Sequence, residues 1–278
     1  MARAEVLAAG LVVGESPRWH DGRLWLANWG AAEVVSIGLD GEREVMARLE
    51  TTIPFSIDWL PDGRLLIVSG PERVLLSQEP DGSLTTYADL SGLSDHGFNE
   101  LVVDGRGNAY VNGAGFDLMA GEEPAPGIVA VVTPDGSVRE VADGIGFPNG
   151  MAVTPDNSTL IVADSYGREL TGFDIGPDGG LPGRRVWADL GDGVPDGICL
   201  DTEGAVWYAD VPNRRCVRVR EGGEVLDTIE VDRGCFACAL GGTDRTTLFI
   251  CAAEWRGPER MFDGPPSGQV LTAKAPAP

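Results

Sequence analysis

One phrase recurs six times along this chain: an apolar run, a tight turn of the Asp-Gly type, then a second apolar run. The copies begin near Gly14-Glu15-Ser16-Pro17, Pro54-Phe55-Ser56-Ile57, Gly97-Phe98-Asn99-Glu100, Phe147-Pro148-Asn149-Gly150, Val194-Pro195-Asp196-Gly197 and Cys235-Phe236-Ala237-Cys238. A unit repeating every ~40–50 residues cannot bury its own apolar faces, so the copies must stack, and that period is the length of one four-stranded propeller blade. Six copies use nearly all of the 278 residues. The pattern predicts an all-β, six-bladed β-propeller forming one domain over residues 1–278.

Within each copy, segments such as Leu65-Leu66-Ile67-Val68, Leu160-Ile161-Val162-Ala163 and Ala205-Val206-Trp207-Tyr208 read as short buried strands. Further hairpins, for example Gly127–Val132 and Ser137–Val141 around Pro134-Asp135-Gly136, bring the count to four strands per unit. The abundance of turn residues, 39 Gly and 19 Pro, fits this and opposes a long-helix protein. The sixth copy lacks an outermost strand, and Glu5-Val6-Leu7-Ala8 is the natural completion, closing the ring and removing an open edge. Residues 113–127 form the longest insertion, a candidate lid with a short helical turn expected near Met119–Glu123.

A formal charge of -22, from 43 acidic and 21 basic residues, would repel nucleic-acid phosphates and anionic membranes, so neither is expected as a partner. No apolar stretch reaches ~18 residues, and Met1-Ala2-Arg3-Ala4-Glu5-Val6 lacks the apolar core of a signal peptide, so a cytoplasmic location is expected. The 5 Cys are read as thiols, Cys235 and Cys238 as buried strand residues. Gly14-Glu15-Ser16-Pro17 is not a nucleophile elbow, and His20 and His96 are the only histidines, so a Ser-His-Asp triad is not expected. The turns at Asp62-Gly63, Asp81-Gly82 and Asp135-Gly136 read as hairpin tips rather than cation loops.

In the common register one inner-strand column reads Glu15, Phe55, Asn99, Asn149, Asp196, Ala237. Inner strands line a propeller's channel, so this column brings two carboxylates and two amides together at the axis. Oxygen donors without a His pair suit a hard divalent cation, Ca²⁺ first, with Mg²⁺, Mn²⁺ or Zn²⁺ as alternatives. Polar channel residues that merely bond backbone and water are the competing reading.

The phrases Gly14–Trp19, Phe98–Asp104, Phe147–Ala152 and Pro195-Asp196-Gly197, in order and at blade spacing, resemble those of the gluconolactonase, senescence marker protein (regucalcin) and luciferin-regenerating enzyme family over essentially the whole chain. The resemblance implies a six-bladed propeller with one catalytic divalent metal, Glu15, Asn149 and Asp196 as direct ligands, and Asn99 as a ligand or substrate contact. It also implies hydrolytic opening of a small lactone, with Asp196 as general base. One departure matters: where lactonases acting on sugar acids usually carry an Arg, this chain has Gly97, and Glu100 replaces the usual Asp, which weakens a sugar-lactone assignment. Phe55, Phe98, Phe116 and Phe147 on expected channel-mouth loops point to a less polar substrate, with His96 and Glu100 as further candidate contacts. Hydrolysis of an organophosphate or aryl ester by the same group, or a non-enzymatic, metal-stabilised propeller that binds a small molecule, are the alternatives.

Overall fold

The computed structural model describes residues 4–51 and 53–278. Met1–Arg3, the start of the segment expected to lack a signal peptide's apolar core, lies outside the described residues.

The chain opens with β1 (Glu5–Leu11), then lays down β2 (Val13–His20), β3 (Arg23–Trp29), β4 (Glu33–Ile37) and β5 (Arg43–Arg48) as the first blade. The second holds β6 (Phe55–Trp59), β7 (Leu65–Ser69), β8 (Val74–Gln78) and β9 (Leu84–Asp89); the third β10 (Leu101–Val103), β11 (Ala109–Gly113), β12 (Gly127–Val132) and β13 (Val138–Ile145). The fourth holds β14 (Pro148–Val153), β15 (Thr159–Asp164), β16 (Glu169–Asp174) and β17 (Arg185–Asp189); the fifth β18 (Pro195–Leu200), β19 (Val206–Asp210), β20 (Arg215–Val219) and β21 (Val225–Glu230). In the last blade β22 (Gly234–Gly241), β23 (Thr247–Ala253) and β24 (Gly268–Lys274) are joined by β1, which pairs antiparallel with β24 from Glu5 opposite Thr272 to Leu11 opposite Gly268. The expected N- to C-terminal closure is therefore present, and the protein is a six-bladed β-propeller.

The apolar core is divided among the blade interfaces. Alternation sends Leu66 and Val68 of β7 toward the third blade, against Leu101 and Val111, while Leu65 and Ile67 face the first blade, against Ala27 and Val34. In β19, Val206 and Tyr208 likewise face the fourth blade, and Trp207 and Ala209 the sixth. Each inner blade is covered on both sides, which is why these strands read as continuous apolar runs. Burial of each such Leu, Val or Ile contributes about 1.5–3 kcal/mol.

The Asp-Gly turns are hairpin tips. Asp62, Asp81 and Asp135 each accept the backbone N–H two residues on, at 3.1, 3.0 and 3.0 Å, so their carboxylates are committed to the turn. Residues 118–121 make a hydrogen-bonded turn, Gly121 N–H to Leu118 O at 3.2 Å, rather than the helical turn expected there. Asp117 sets that turn by accepting from the Met119 and Ala120 amides. No described helix is long and apolar enough to cross a membrane.

Candidate active site

Three of the four expected donors stand where an inner strand is interrupted by a bulge. In β2 the pairing slips between Glu15, opposite Ala27, and Arg18, opposite Trp25, with Ser16 at φ 50°. In β14 it slips between Pro148 and Met151, and in β18 between Pro195 and Ile198, bracketing Asn149 and Asp196. An extra residue re-aims a side chain that strict alternation would send elsewhere. Two glycines let these strands approach. A Cβ on Gly150 would lie 2.5 Å from the Asp196 carbonyl oxygen, and one on Gly197 would lie 2.4 Å from the Ala237 Cβ.

The side chains converge across the axis. Glu15 and Asp196 come from the first and fifth blades, which are not neighbours, yet each carboxylate raises the energy of charging the site: Glu15 is pushed well up by burial first, then by Asp196 and by Glu100. Asp196 is pushed well up by burial first and by Glu100 next, while the Asn149 amide acts in the opposite direction. Part of the Asp196 surface reaches the channel, but the protein around it is dense enough that lost hydration dominates. Asn99 Nδ2 lies 3.4 Å from Asn149 Oδ1. Neither Glu15 nor Asp196 takes part in an ion pair among the described residues, and Arg18, on the same strand as Glu15, is spent on Glu100 at 3.4 Å and Asp58 at 3.8 Å.

A set of residues not singled out from the sequence fixes this arrangement. Asn112 donates to the Asn149 carbonyl at 2.6 Å and accepts from the Glu100 amide, tying the third blade to the fourth. The Ser165 hydroxyl donates to the Pro195 carbonyl at 2.6 Å and lies 3.5 Å from Asn149 Nδ2, tying the fourth to the fifth. Ser16 bonds Glu100 at 3.1 Å and the backbone of Ile57. Their signal in the sequence was a polar residue inside or beside an apolar strand, as in Tyr110-Val111-Asn112-Gly113.

Not every expected contact reaches the channel. Phe55 is fully buried between the first and second blades with Ala27, Val34, Ile57 and Ile67. No bulge interrupts β6, where Phe55 pairs with Ser69 in unbroken register, so alternation drives the ring into the core. Phe98 is likewise fully buried, among Leu66, Val68 and Leu101 between the second and third blades. Glu100 is 6% exposed and held by Ser16, Arg18 and the Leu101 amide, which makes it a buttress rather than a free substrate contact. His96 sits on the loop before β10, Nδ1 3.7 Å from Glu122 of the 114–126 loop. Phe116 and Phe147 do meet, with ring centres 5.6 Å apart. All five cysteines are free thiols; Cys235 and Cys238 are buried in β22 as expected, and Cys238 contacts the Trp207 carbonyl at 3.5 Å.

Residues 13–254 match the family described as SMP-30/Gluconolactonase/LRE-like region. The chain belongs to that family. Among relatives, it is 28% identical over 176 residues to regucalcin of Danio rerio, covering 62% of this chain and 59% of the relative. It is 24% identical over 290 residues to regucalcin of Oryctolagus cuniculus, covering 96% and 92%. It is also 32% identical over 144 residues to 6-deoxy-6-sulfogluconolactonase of Pseudomonas putida, covering 50% and 49%. The structure of a calcium-binding protein, regucalcin, from Agrobacterium tumefaciens superimposes with a TM-score of 0.81 at 23% identity, over 99% of this chain and 95% of that one, a likeness of fold. Three of the four motif phrases thus fall on inner strands that carry a bulge, β2, β14 and β18, while Phe98–Asp104 leads into the unbroken β10.

Proposed function

We propose that this chain is a divalent-cation-dependent hydrolase that opens a small lactone, with Asp196 as general base. The observation that supports this reading is the placing of two carboxylates, Glu15 and Asp196, at inner-strand bulges, with no ion-pair partner for either among the described residues and with burial pushing both well above the usual carboxylate range. Two such groups cost several kcal/mol to keep ionised in a protein interior unless a cation or a proton neutralises them. The family supports the chemistry, since one relative is named as a lactonase.

The donor set fits a hard cation. Among the described residues no three His, Cys, Asp or Glu side chains gather into a metal group, so the ligands would be two carboxylates supplemented by amide oxygens. That composition favours Ca²⁺ over a zinc centre built from His or thiolate. Glu15, Asn149 and Asp196 would hold the ion, with Asn99 beside Asn149 as a further ligand or a substrate contact. A bound cation would polarise the ester carbonyl as a Lewis acid.

The remaining steps belong to the chain. An Asp196 carboxylate oxygen takes a proton from the attacking water and returns it to the departing ring oxygen, releasing a hydroxy acid and regenerating the carboxylate. Ser165 and Asn112 keep Asn149 beside that carboxylate through the Pro195 and Asn149 carbonyls. Glu100, paired with Arg18, is not available as a competing base. The test is a pH-stat assay over lactones, aryl esters and phosphotriesters, with calcium or with chelator. Cation-dependent lactone opening, abolished by Asp196→Asn in a folded protein, is expected. Wild-type rates in that variant sink the assignment of the base, and turnover confined to esters or phosphotriesters sinks the lactone.

A further inference from the structure

We infer that the rings of Phe147 and Tyr166, backed by the buried Phe116, form a shelf beside the site that selects substrates bearing an apolar substituent, alkyl or aryl, on the lactone ring. This rests on the lactonase reading and narrows its substrate class. Tyr166 stacks on Phe147 with ring centres 5.0 Å apart and planes at 21°, and Phe116 closes the group at 5.9 Å from Tyr166. The shelf is joined to the site by the backbone. Phe147 lies two residues before Asn149, and its carbonyl accepts the amide of Ser165, the residue that braces Asn149 and precedes Tyr166. Asp164 fixes both arms, accepting from the amides of Gly146, Phe147 and Gly167 at 2.8, 3.0 and 2.8 Å.

Tyr166 remains 49% exposed although stacked, so the shelf keeps an open apolar surface beside the strand end that carries Asn149. Two carboxylates of the neighbouring loop are already engaged. Asp117 caps its own turn, Glu122 accepts from the Asp117 amide and neighbours His96, and position 97 has no side chain. A side chain there would crowd the backbone, its Cβ 3.1 Å from the Gly70 carbonyl oxygen. An aromatic surface gains from covering methylene or aryl groups and gives no fork of donors to a polyol.

The experiment compares kcat/KM for γ-butyrolactone, γ-lactones with propyl and heptyl substituents, and glucono-δ-lactone, in wild type, Tyr166→Ser, Tyr166→Leu and Phe147→Leu. Wild type is expected to favour the heptyl over the unsubstituted ring by at least about tenfold, given the usual gain per covered methylene. Tyr166→Ser should cut that ratio to about threefold or less, and Tyr166→Leu should restore most of it, which a merely structural role would not do. Calorimetric binding of the matching, non-hydrolysed γ-lactams is measured in parallel. If no lactone is turned over, the hydrolase reading fails, while lactam affinity rising with chain length in a Tyr166-dependent way still upholds the shelf. Affinity and kcat/KM independent of chain length, or a preference for the polyhydroxylated ring, would overturn it.

Discussion

Calcium should stabilise this protein most strongly where its two channel carboxylates have lost their protons. Burial first, then repulsion from Asp196 and Glu100 on Glu15 and from Glu100 on Asp196, holds both groups well above the usual carboxylate range. As pH rises from ~4 through that raised range, the unfolded chain has already released protons that the folded chain still holds, so the stability supplied by these groups falls, by about 1.4 kcal/mol for each pKa unit of displacement. A cation takes over the neutralising role. At a free concentration about 100 times its Kd it adds about 2.7 kcal/mol, and at about 2–4 °C per kcal/mol for a domain this large, Tm rises by about 5–11 °C. The assay is thermal unfolding followed by near-ultraviolet circular dichroism at pH 5 and pH 8, with chelator or with calcium, in wild type, Glu15→Gln and Asp196→Asn. The chelated wild type should lose more Tm between pH 5 and pH 8 than either variant, since the general acidity of the chain acts on all three alike. The calcium increment should be larger at pH 8 and nearly absent in the variants. An equal increment in all three proteins would refute a cation at these carboxylates.

Two further outcomes separate the site from its frame. Gly197→Ala places a methyl 2.4 Å from the Ala237 Cβ and 2.6 Å from its Cα, so β18 must retreat from β22. A loss of about 1–3 kcal/mol in urea unfolding is expected, with a large fall in kcat because Asp196 moves with the strand; unchanged stability would contradict the close approach. Phe55→Ala removes a fully buried ring from the interface of the first two blades and should cost about 3–5 kcal/mol while KM for the best lactone stays within about twofold; a raised KM with intact stability would return Phe55 to the channel.

The donor column was legible because a blade repeat carries its register in its turns. Once Asp62-Gly63 and its counterparts were aligned, Glu15, Asn99, Asn149 and Asp196 fell in one position; in the structure Asn99 lies 3.4 Å from Asn149, Asn149 acts on Asp196, and Asp196 on Glu15. The same alignment misplaced Phe55, because the bulges that turn Glu15, Asn149 and Asp196 are absent from β6, and an alignment of columns assumes one geometry for every blade. It misread Phe98 for a related reason: in the extended segment leading into β10, the neighbour of Asn99 points into a blade interface. Adjacency in sequence is opposition in a strand.

By itself, then, the sequence determined the number of blades, the closure by Glu5–Ala8, and which residue types could meet at the axis, since periodicity and turn chemistry are local properties written every few residues. The tertiary structure decided the rest: which carboxylates have an arginine partner and which stand uncompensated, which aromatics pack as core and which remain open beside the site, and which polar residues brace the site. Those distinctions depend on pairs such as Glu15 with Asp196 or Ser165 with Pro195, whose separation in the chain is large and whose contact exists only once the ring has closed.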